Sequence, residues 1–328
     1  MLEIGLFGVG HLGKIHLRLL KELNTLYKIV GVHDNNLDYG KQIAHEFQIP
    51  FFENPNELIN QSDCLDVVTP TISHFELAYK IISANKHVFI EKPITQTIEE
   101  AEKLIQLNKK NQIKVQVGHV ERFNPAFVKA MPYFKNPMFI ETHRLAQFNP
   151  RGTDVPVVLD LMIHDLDVIL SVVDSEVENI SASGVAVVSD SDDIANARIV
   201  FKNGCVANLT SSRISLKNMR KSRFFQKDAY ISVDFLTKEL EVFRLENIEG
   251  EPDPFDIVFD LGENKTKKKV LFDKPDIFDF NAIKEELISF HDSIVNNNAP
   301  KVNIFDASKA LTLAYQILDN IQKAKPLL

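Results

Sequence analysis

The stretch "GLFGVGHLGKIH", residues 5–16, decides how the rest of the chain is read. The run "LEIGLFG" before it is short, apolar and β-type. The run "GVGHLGKIHLRLLKEL" after it sets Leu12, Ile15, Leu19, Leu20 and Leu23 on one helical face. Between the two, Gly8, Gly10 and Gly13 fit the spacing G-x-G-x-x-G. The first glycine permits a tight turn, the second lets backbone approach a pyrophosphate, and the third lets helix and strand pack closely. The free N–H groups of the helix's first turn then face the phosphates. The pattern is completed by a carboxylate about 20 residues on, and Asp34 stands there, at the end of "YKIVGVHD". A carboxylate at that strand end accepts hydrogen bonds from the adenosine ribose and repels a 2′-phosphate. Asn35 and Asn36 bring no cation to offset it, and Lys41 is the nearest one downstream. The cofactor expected is NAD.

Outward from this point, strand and helix alternate. "KQIAHEF" (41–47) is helical, "IPFFE" (49–53) a short strand, "PNELIN" (55–60) a helix and "CLDVVTPT" (64–71) a buried strand. "SHFELAYKIISANK" (73–86) is a helix and "HVFIEKPIT" (87–95) a strand running into a loop. "TIEEAEKLIQLNKKN" (97–111) is a helix with an acidic first turn and a basic last turn, as the helix dipole favours. "KVQVGHVERF" (114–123) closes the series. The pattern predicts an α/β class, with a doubly wound parallel Rossmann sheet over residues 1–120. Lys92 sits at the carboxyl end of a parallel strand, where ligands bind in such sheets. Pro93 fixes the chain after it and is a place for a cis bond.

Residues 121–328 change character. A strand is expected near 138–148, followed by long strands at 178–188, 194–215, 222–245 and about 268–272. Apolar and polar residues alternate through them, which suits an open, mostly antiparallel sheet with one wet face. Phe201, Val206 and Leu209 hint that this face is too apolar to stay wet, which points to a homo-oligomer, a dimer or tetramer. Two amphipathic helices, "FNAIKEELISFHDSIVNN" and "DASKALTLAYQILDNIQ", end the chain.

A length of 328 residues exceeds one ordinary core, so two domains are expected. The net charge of −8 argues against nucleic acid and anionic membrane as partners. Cys64 and Cys205 form no metal or redox spacing, so a reducing, cytoplasmic setting is the economical reading. No apolar segment reaches the length of a bilayer span.

One stretch of the second domain resists a bland reading. "VVLDLMIHDLDVIL" (157–170) reads as one apolar helix, yet it carries Asp160, His164, Asp165 and Asp167. Asp160 and His164 are i and i+4 and share a face. Burying such groups without partners costs several kcal/mol. Asp165 points about 100° away from His164 on a helix of 3.6 residues per turn, which suits a cap or salt bridge. A metal site of Asp160, His164 and Asp167 lacks a further ligand at recognisable spacing, so no metal is expected.

These residues together resemble the Gfo/Idh/MocA family of sugar and cyclitol oxidoreductases. The resemblance spans nearly the whole chain. It rests on Gly8, Gly10 and Gly13, on "TPTISH" (69–74), on "EKP" (91–93) and on Asp160-x-x-x-His164. It implies a Rossmann domain that contacts NAD through Gly8, Gly10, His11, Leu12, Gly13, Asp34, Thr69, Pro70, His74, Glu91 and Lys92. It implies also that Lys92, Asp160 and His164 line the substrate pocket. A histidine titrates near the working pH and suits the base that takes the hydroxyl proton. Asp160 would orient the imidazole or bind a substrate hydroxyl, and Lys92 would polarise the oxygen. The chain departs from the pattern at Leu161, Met162 and Ile163, where many members carry glycines. Flanking segments 118–127 and 143–167 resemble a subgroup that includes UDP-N-acetylglucosamine 3-dehydrogenases.

A nucleotide sugar brings a diphosphate, which calls for arginine or backbone N–H groups. Arg122, Arg144 and Arg151, with Glu121, lie in segments expected at the pocket mouth. The alternative is that the arginines pair with Glu121, Glu141 and Asp154 as ordinary surface charges. Three functions follow: a dehydrogenase of a sugar or nucleotide sugar, a catalytically silent relative that senses dinucleotide or sugar, and a reductase of a non-sugar carbonyl. Intact Lys92, Asp160 and His164 favour the first over the second.

Overall fold

Five strands of nearly continuous apolar character form one parallel sheet: β1 (Leu2–Phe7), β2 (Tyr27–His33), β3 (Cys64–Val67), β4 (His87–Glu91) and β5 (Val115–Gly118). Such strands are buried on both faces by the crossover helices, here α1 (His11–Glu22), α2 (Leu37–Phe47), α3 (Pro55–Gln61), α4 (His74–Ser83) and α5 (Ile98–Asn111). The strand order is β2-β1-β3-β4-β5. It reverses between β1 and β3, which opens a crevice at their carboxyl ends. The segment 49–53, expected as a strand, contributes only a bridge from Phe51 to Val32. Pro50 within it has no N–H to extend the ladder. At α5, Thr97 and Glu100 make a full capping box, with Lys109 and Lys110 in the last turn, as the charge pattern predicts.

The computed structural model describes residues 1–149, 155–248, 253, 256–259, 262 and 267–324. After α6 (Pro125–Ala130) comes a nine-stranded sheet: β6 (Phe139–Leu145), β7 (Val177–Val185), β8 (Ile194–Phe201), β9 (Val206–Ser212), β10 (Met219–Gln226), β11 (Ala229–Asp234), β12 (Glu239–Asn247), β13 (Val258–Phe259) and β14 (Lys268–Asp273). Its order is β13-β14-β12-β11-β10-β6-β9-β8-β7, and only β6 and β9 run parallel. The runs 194–215 and 222–245 are not single strands. Gly204, at φ +84°, turns β8 into β9, and Asp228 and Lys238, both at φ 58°, make the next two turns. α7 (Ile163–Val172) follows β6 in the chain.

The chain divides into two compact units, Met1–Phe123 with Phe280–Thr312, and Asn124–Asp279 with Leu313–Leu328. The chain first passes between them after Phe123. The second domain is not the continuous 121–328, because α8 (Ala282–Val295) and the start of α9 (Ile304–Ala324) return to the first unit. Leu287 and Phe290 of α8 complete the core of that unit. Phe290 meets Phe89 at 6.0 Å between ring centroids, and Tyr27 donates to the Leu287 carbonyl at 2.7 Å. Among the described residues, no helix is long and apolar enough to cross a membrane.

Alternation sorts the faces of the second sheet. Ile199, Ala207, Ile140, Phe224, Ile231 and Val242 form one cross-strand row, fully buried. The adjacent row, on the opposite face, runs Val206, Phe139, Phe225, Tyr230, Phe243, Phe272. Its successive rings lie 5.8, 4.9, 5.8 and 4.6 Å apart. Phe225, Phe243 and Phe272 are exposed. Of the residues expected to make the wet face apolar, Val206 belongs to this row, while Phe201 and Leu209 are buried.

The same parity sets Arg144 on the covered face with Ile140 and Thr142. Its Nε and Nη2 donate to Asp165 of α7 at 2.9 and 3.0 Å, and both side chains are only 3% exposed. Arg144, expected at a pocket mouth, is instead half of a buried bidentate ion pair, and Asp165 is the salt-bridge partner its helical position suggested. Breaking such a pair from one side strands a buried charge. Arg144→Ala should lower unfolding stability by about 3–5 kcal/mol in denaturant titrations. A loss below about 1 kcal/mol, the size of a surface pair, would mean that the pair is not buried in solution.

Candidate active site

The glycine loop has the geometry its spacing requires. Gly8 adopts φ +89°, and a Cβ there would stand 2.8 Å from the Val68 carbonyl oxygen. A Cβ on Gly13 would stand 2.0 Å from the Gly8 carbonyl oxygen, so no other residue lets α1 lie this low on β1. Gly10, the N-cap of α1, has nothing within 4 Å of its Cβ position. No side chain caps α1, so its first-turn N–H groups are available to an anion. Asp34 Oδ2 accepts the Val9 N–H at 2.9 Å and Oδ1 accepts the Asn36 N–H at 2.9 Å. Each oxygen keeps a lone pair for a ribose hydroxyl.

Two adjoining depressions of about 470 Å³ each share Gly8, Asp34, Thr69 and Pro70. One extends past His33, Asn36 and Ile72, the other past Gly10, His11, Leu12, Tyr39, Glu91 and Lys92. Thr69 Oγ1 is buried and has no hydrogen-bond partner among the described residues. An open space at Gly10, an uncapped helix start and a carboxylate at the far strand end fit a dinucleotide. NAD would be held by Gly8, Gly10 and the α1 N–H groups at its phosphates and by Asp34 at its ribose.

Two of the residues expected to touch the cofactor act from behind. Gly13 is buried under the loop. His74 is 1% exposed, with Nδ1 at 2.8 Å from the Pro93 carbonyl and Nε2 at 2.9 Å from the Thr69 carbonyl. It ties the loop after β3 to the loop after β4. Burial pushes its pKa down, against the pull of both carbonyls and of Glu91. Lys92–Pro93 is a cis peptide bond. Glu91, beside Lys92, is linked to His16 and through it to Asp66. Sequence reasoning passed over both. The signal was a histidine one turn after Gly13 and an aspartate inside the apolar run "CLDVV".

His119, which follows β5, was also missed. It is 1% exposed, and neither ring nitrogen has a hydrogen-bond partner among the described residues. Burial, with Lys92 and Arg122 adding, drives its pKa down to about 3. Glu121 is buried, and Arg122 donates to the Lys301 carbonyl at 3.1 Å. Lys301 stands over the Phe123 ring at 4.5 Å. Burial and the Arg122 charge lower its pKa.

In the second unit, Asp160 lies on a π-helical turn, Val158–Met162, that runs into α7. The stretch 157–170 is therefore not one regular α-helix. A π turn carries i→i+5 bonds and is frequent at functional sites. Asp160 and His164 are half-buried, while Asp165 and Asp167 are buried. Arg151 and Asp154 lie outside the described residues.

Residues 2–119 match the profile described as "Oxidoreductase family, NAD-binding Rossmann fold", and residues 133–227 match "GFO/IDH/MocA C-terminal domain". The chain is 37% identical over 243 residues to UDP-N-acetylglucosamine 3-dehydrogenase of Acidithiobacillus ferrooxidans, covering 74% of this chain and 77% of that protein. It is 28% identical over 232 residues to myo-inositol 2-dehydrogenase of Thermotoga maritima, covering 65% and 69%. Among solved structures, UDP-N-acetylglucosamine 3-dehydrogenase GnnA from Acidithiobacillus ferrooxidans matches with a TM-score of 0.88 at 31% identity, over 98% of each chain.

The charges around Asp34 bear on cofactor choice. Lys41, the nearest downstream cation, is paired with Glu53 at 2.5 Å, and Lys80 with Glu76 at 2.7 Å. Both pairs leave Asp34 as an unbalanced repulsion toward a 2′-phosphate. NADH should bind more tightly than NADPH in fluorescence titrations, and Asp34→Ala should narrow the gap. A wild-type protein that prefers NADPH would overturn this assignment of Asp34.

Proposed function

Because the chain belongs to the Gfo/Idh/MocA family of NAD-binding oxidoreductases, we propose that it oxidises a ring hydroxyl of a UDP-linked amino sugar to the keto sugar. The observation that carries this reading is the 37% identity to a UDP-N-acetylglucosamine 3-dehydrogenase, against 28% for an inositol dehydrogenase. NAD supplies the hydride acceptor. The chain's own groups take the hydroxyl proton and steady the charge that grows on oxygen. His164 is the base, Asp160 orients it or binds a substrate hydroxyl, and Lys92 polarises the oxygen being oxidised. Arg122 receives the diphosphate, with Lys301 beside it, and Arg151 is a further contact. Arg144 has no part in this, since Asp165 occupies it.

Calorimetry in the presence of NAD tests the substrate. UDP and UDP-N-acetylglucosamine should both bind, more weakly as salt rises. If neither bound at millimolar levels while a free sugar or inositol turned over, the nucleotide-sugar reading would fall and the dehydrogenase would stand. With the substrate found, His164→Ala should cut turnover by about 10²–10⁴ and leave NADH affinity unchanged. Near-normal rates in that variant would remove His164 from the role of base.

The aromatic row on the second sheet supports a homodimer or homotetramer built on that face. Rings at this spacing are a large apolar surface for a lone chain to leave in water. Sedimentation at micromolar concentration should show an oligomer, and Phe243→Ser with Phe272→Ser should shift it toward monomer. A wild-type monomer refutes this assembly.

A further inference from the structure

Beneath the cleft of the first unit lies a charge cluster of which only Glu91 borders the cleft. His16 projects from α1 onto the sheet and is fully buried. Its Nδ1 stands 2.9 Å from Asp66 Oδ2 on β3. Its Nε2 stands 3.3 Å from Glu91 Oε1 at the end of β4, off the hydrogen-bond axis. The other Glu91 oxygen accepts the main-chain N–H of Lys92 at 3.1 Å. Behind the carboxylate is Gly118, the register partner of Glu91 on β5. A Cβ on Gly118 would stand 2.7 Å from Oε1 and 3.0 Å from Oε2, so only glycine leaves the carboxylate this seat.

We propose that His16 is a positioning residue for the Lys92 ammonium, acting through the Glu91 carboxylate that it clamps against Gly118. The inference rests on the reading of Lys92 as the group that polarises the substrate oxygen. A lysine stem has four flexible carbons, so where its root is held bears on where the ammonium reaches. Here the root is held from both sides, by the Glu91 carboxylate on the Lys92 N–H and by the Pro93 ring. Glu91 itself borders the cleft. Released by His16, its carboxylate is free to turn into the cleft and take the ammonium with it.

The electrostatics agree with the geometry. Burial alone would push the His16 pKa down, but Asp66 and Glu91 outweigh it and raise it to about 10. Burial alone would raise the pKa of Glu91, and the charge of His16 at 3.3 Å, with the main-chain hydrogen bond and charge of Lys92 adding, brings it below the ordinary range. The other titratable groups facing Glu91 are Asp66, which repels it, and His74 and His119, whose pKa values are lowered by burial. His16 and Lys92 are therefore the cations that keep Glu91 ionised. Without His16, burial wins and Glu91 protonates at higher pH. A carboxylate with a raised pKa loses its charge as pH falls through the new value, so the acid limb of the activity profile must move upward.

The test uses the full-length protein. In the wild type without substrate, ¹⁵N NMR of labelled histidines should find the His16 ring doubly protonated from about pH 6 to about pH 9. With the sugar substrate, His16→Gln should move the acid limb of turnover up by about one pH unit or more. Asp66→Asn removes a carboxylate from the same layer but leaves the His16–Glu91 pair. It should lower the melting temperature and, by removing the charge that does most to hold His16 protonated, bring the ring's titration down from about 10. A His16 ring that titrates near neutrality, or a folded His16→Gln whose limb has not moved, overturns the proposal. Should His16→Gln fail to fold, the wild-type histidine titration decides it, and a ring that titrates near neutrality counts against it. Lys92→Ala is measured beside them. If it keeps turnover, the reading of Lys92 fails, and that failure is separate from a histidine titration that finds the clamp intact.

Discussion

The approach of α1 to the loop leaving β1 sets the rest of the first unit. A Cβ on Gly13 would stand 2.0 Å from the Gly8 carbonyl oxygen, well inside any real contact. Removing it lets the helix lie low enough for its first turn to open over the crevice where the strand order reverses. The same descent presses the inner face of α1, with His16, Leu17 and Leu20, onto the sheet. His16 is one turn beyond Gly13 and so lands over β3, the neighbour of β1, with Asp66 and the end of β4 in reach. Phosphate seat and buried imidazole are two results of one missing methyl group.

Much of this was legible because it is local. The glycine spacing, Asp34 and the E-K-P segment each act within a few residues of a strand end, and strand ends follow from short-range pattern. Arg144 was misread for want of a parity count. Ile140, Thr142 and Arg144 share one side of β6, and Ile140 is plainly a core residue, so the arginine had to face inward. The π turn at 158–162 could not be read, because five residues, little more than one turn, are too few to show a period of their own. The return of α8 to the first unit was hidden for a different reason. Its amphipathic pattern states that a face will be buried, but not against which sheet, and its partners Tyr27 and Phe89 lie far back along the chain. The buried triad was hidden in the same way, since its members come from three separate elements.

A buried ion cluster is a poor source of stability, and a leucine at position 16 would suit the inner face of α1 at less desolvation. The retained histidine therefore asks for another account. Its folded pKa is raised from 6.5 to about 10, so its contribution to folding is fully present below 6.5 and fades as pH rises toward 10. Glu91 is shifted the other way, so its contribution is present above its unfolded value and is lost as pH falls through the folded one. The pair is intact across the neutral range and does not change charge there. That constancy suits a clamp and disqualifies a proton acceptor.

His119 reaches the same disqualification from the opposite side. Burial and the charges of Lys92 and Arg122 hold it neutral down to about pH 3. The base of an alcohol oxidation must bind and release a proton near the working pH. One histidine near Lys92 is held charged and another is held neutral, so neither can do so. This supports a division of labour in which the E-K-P end of the first unit supplies fixed charge and position. His164, by contrast, is only half-buried at the start of α7, so solvent still reaches it.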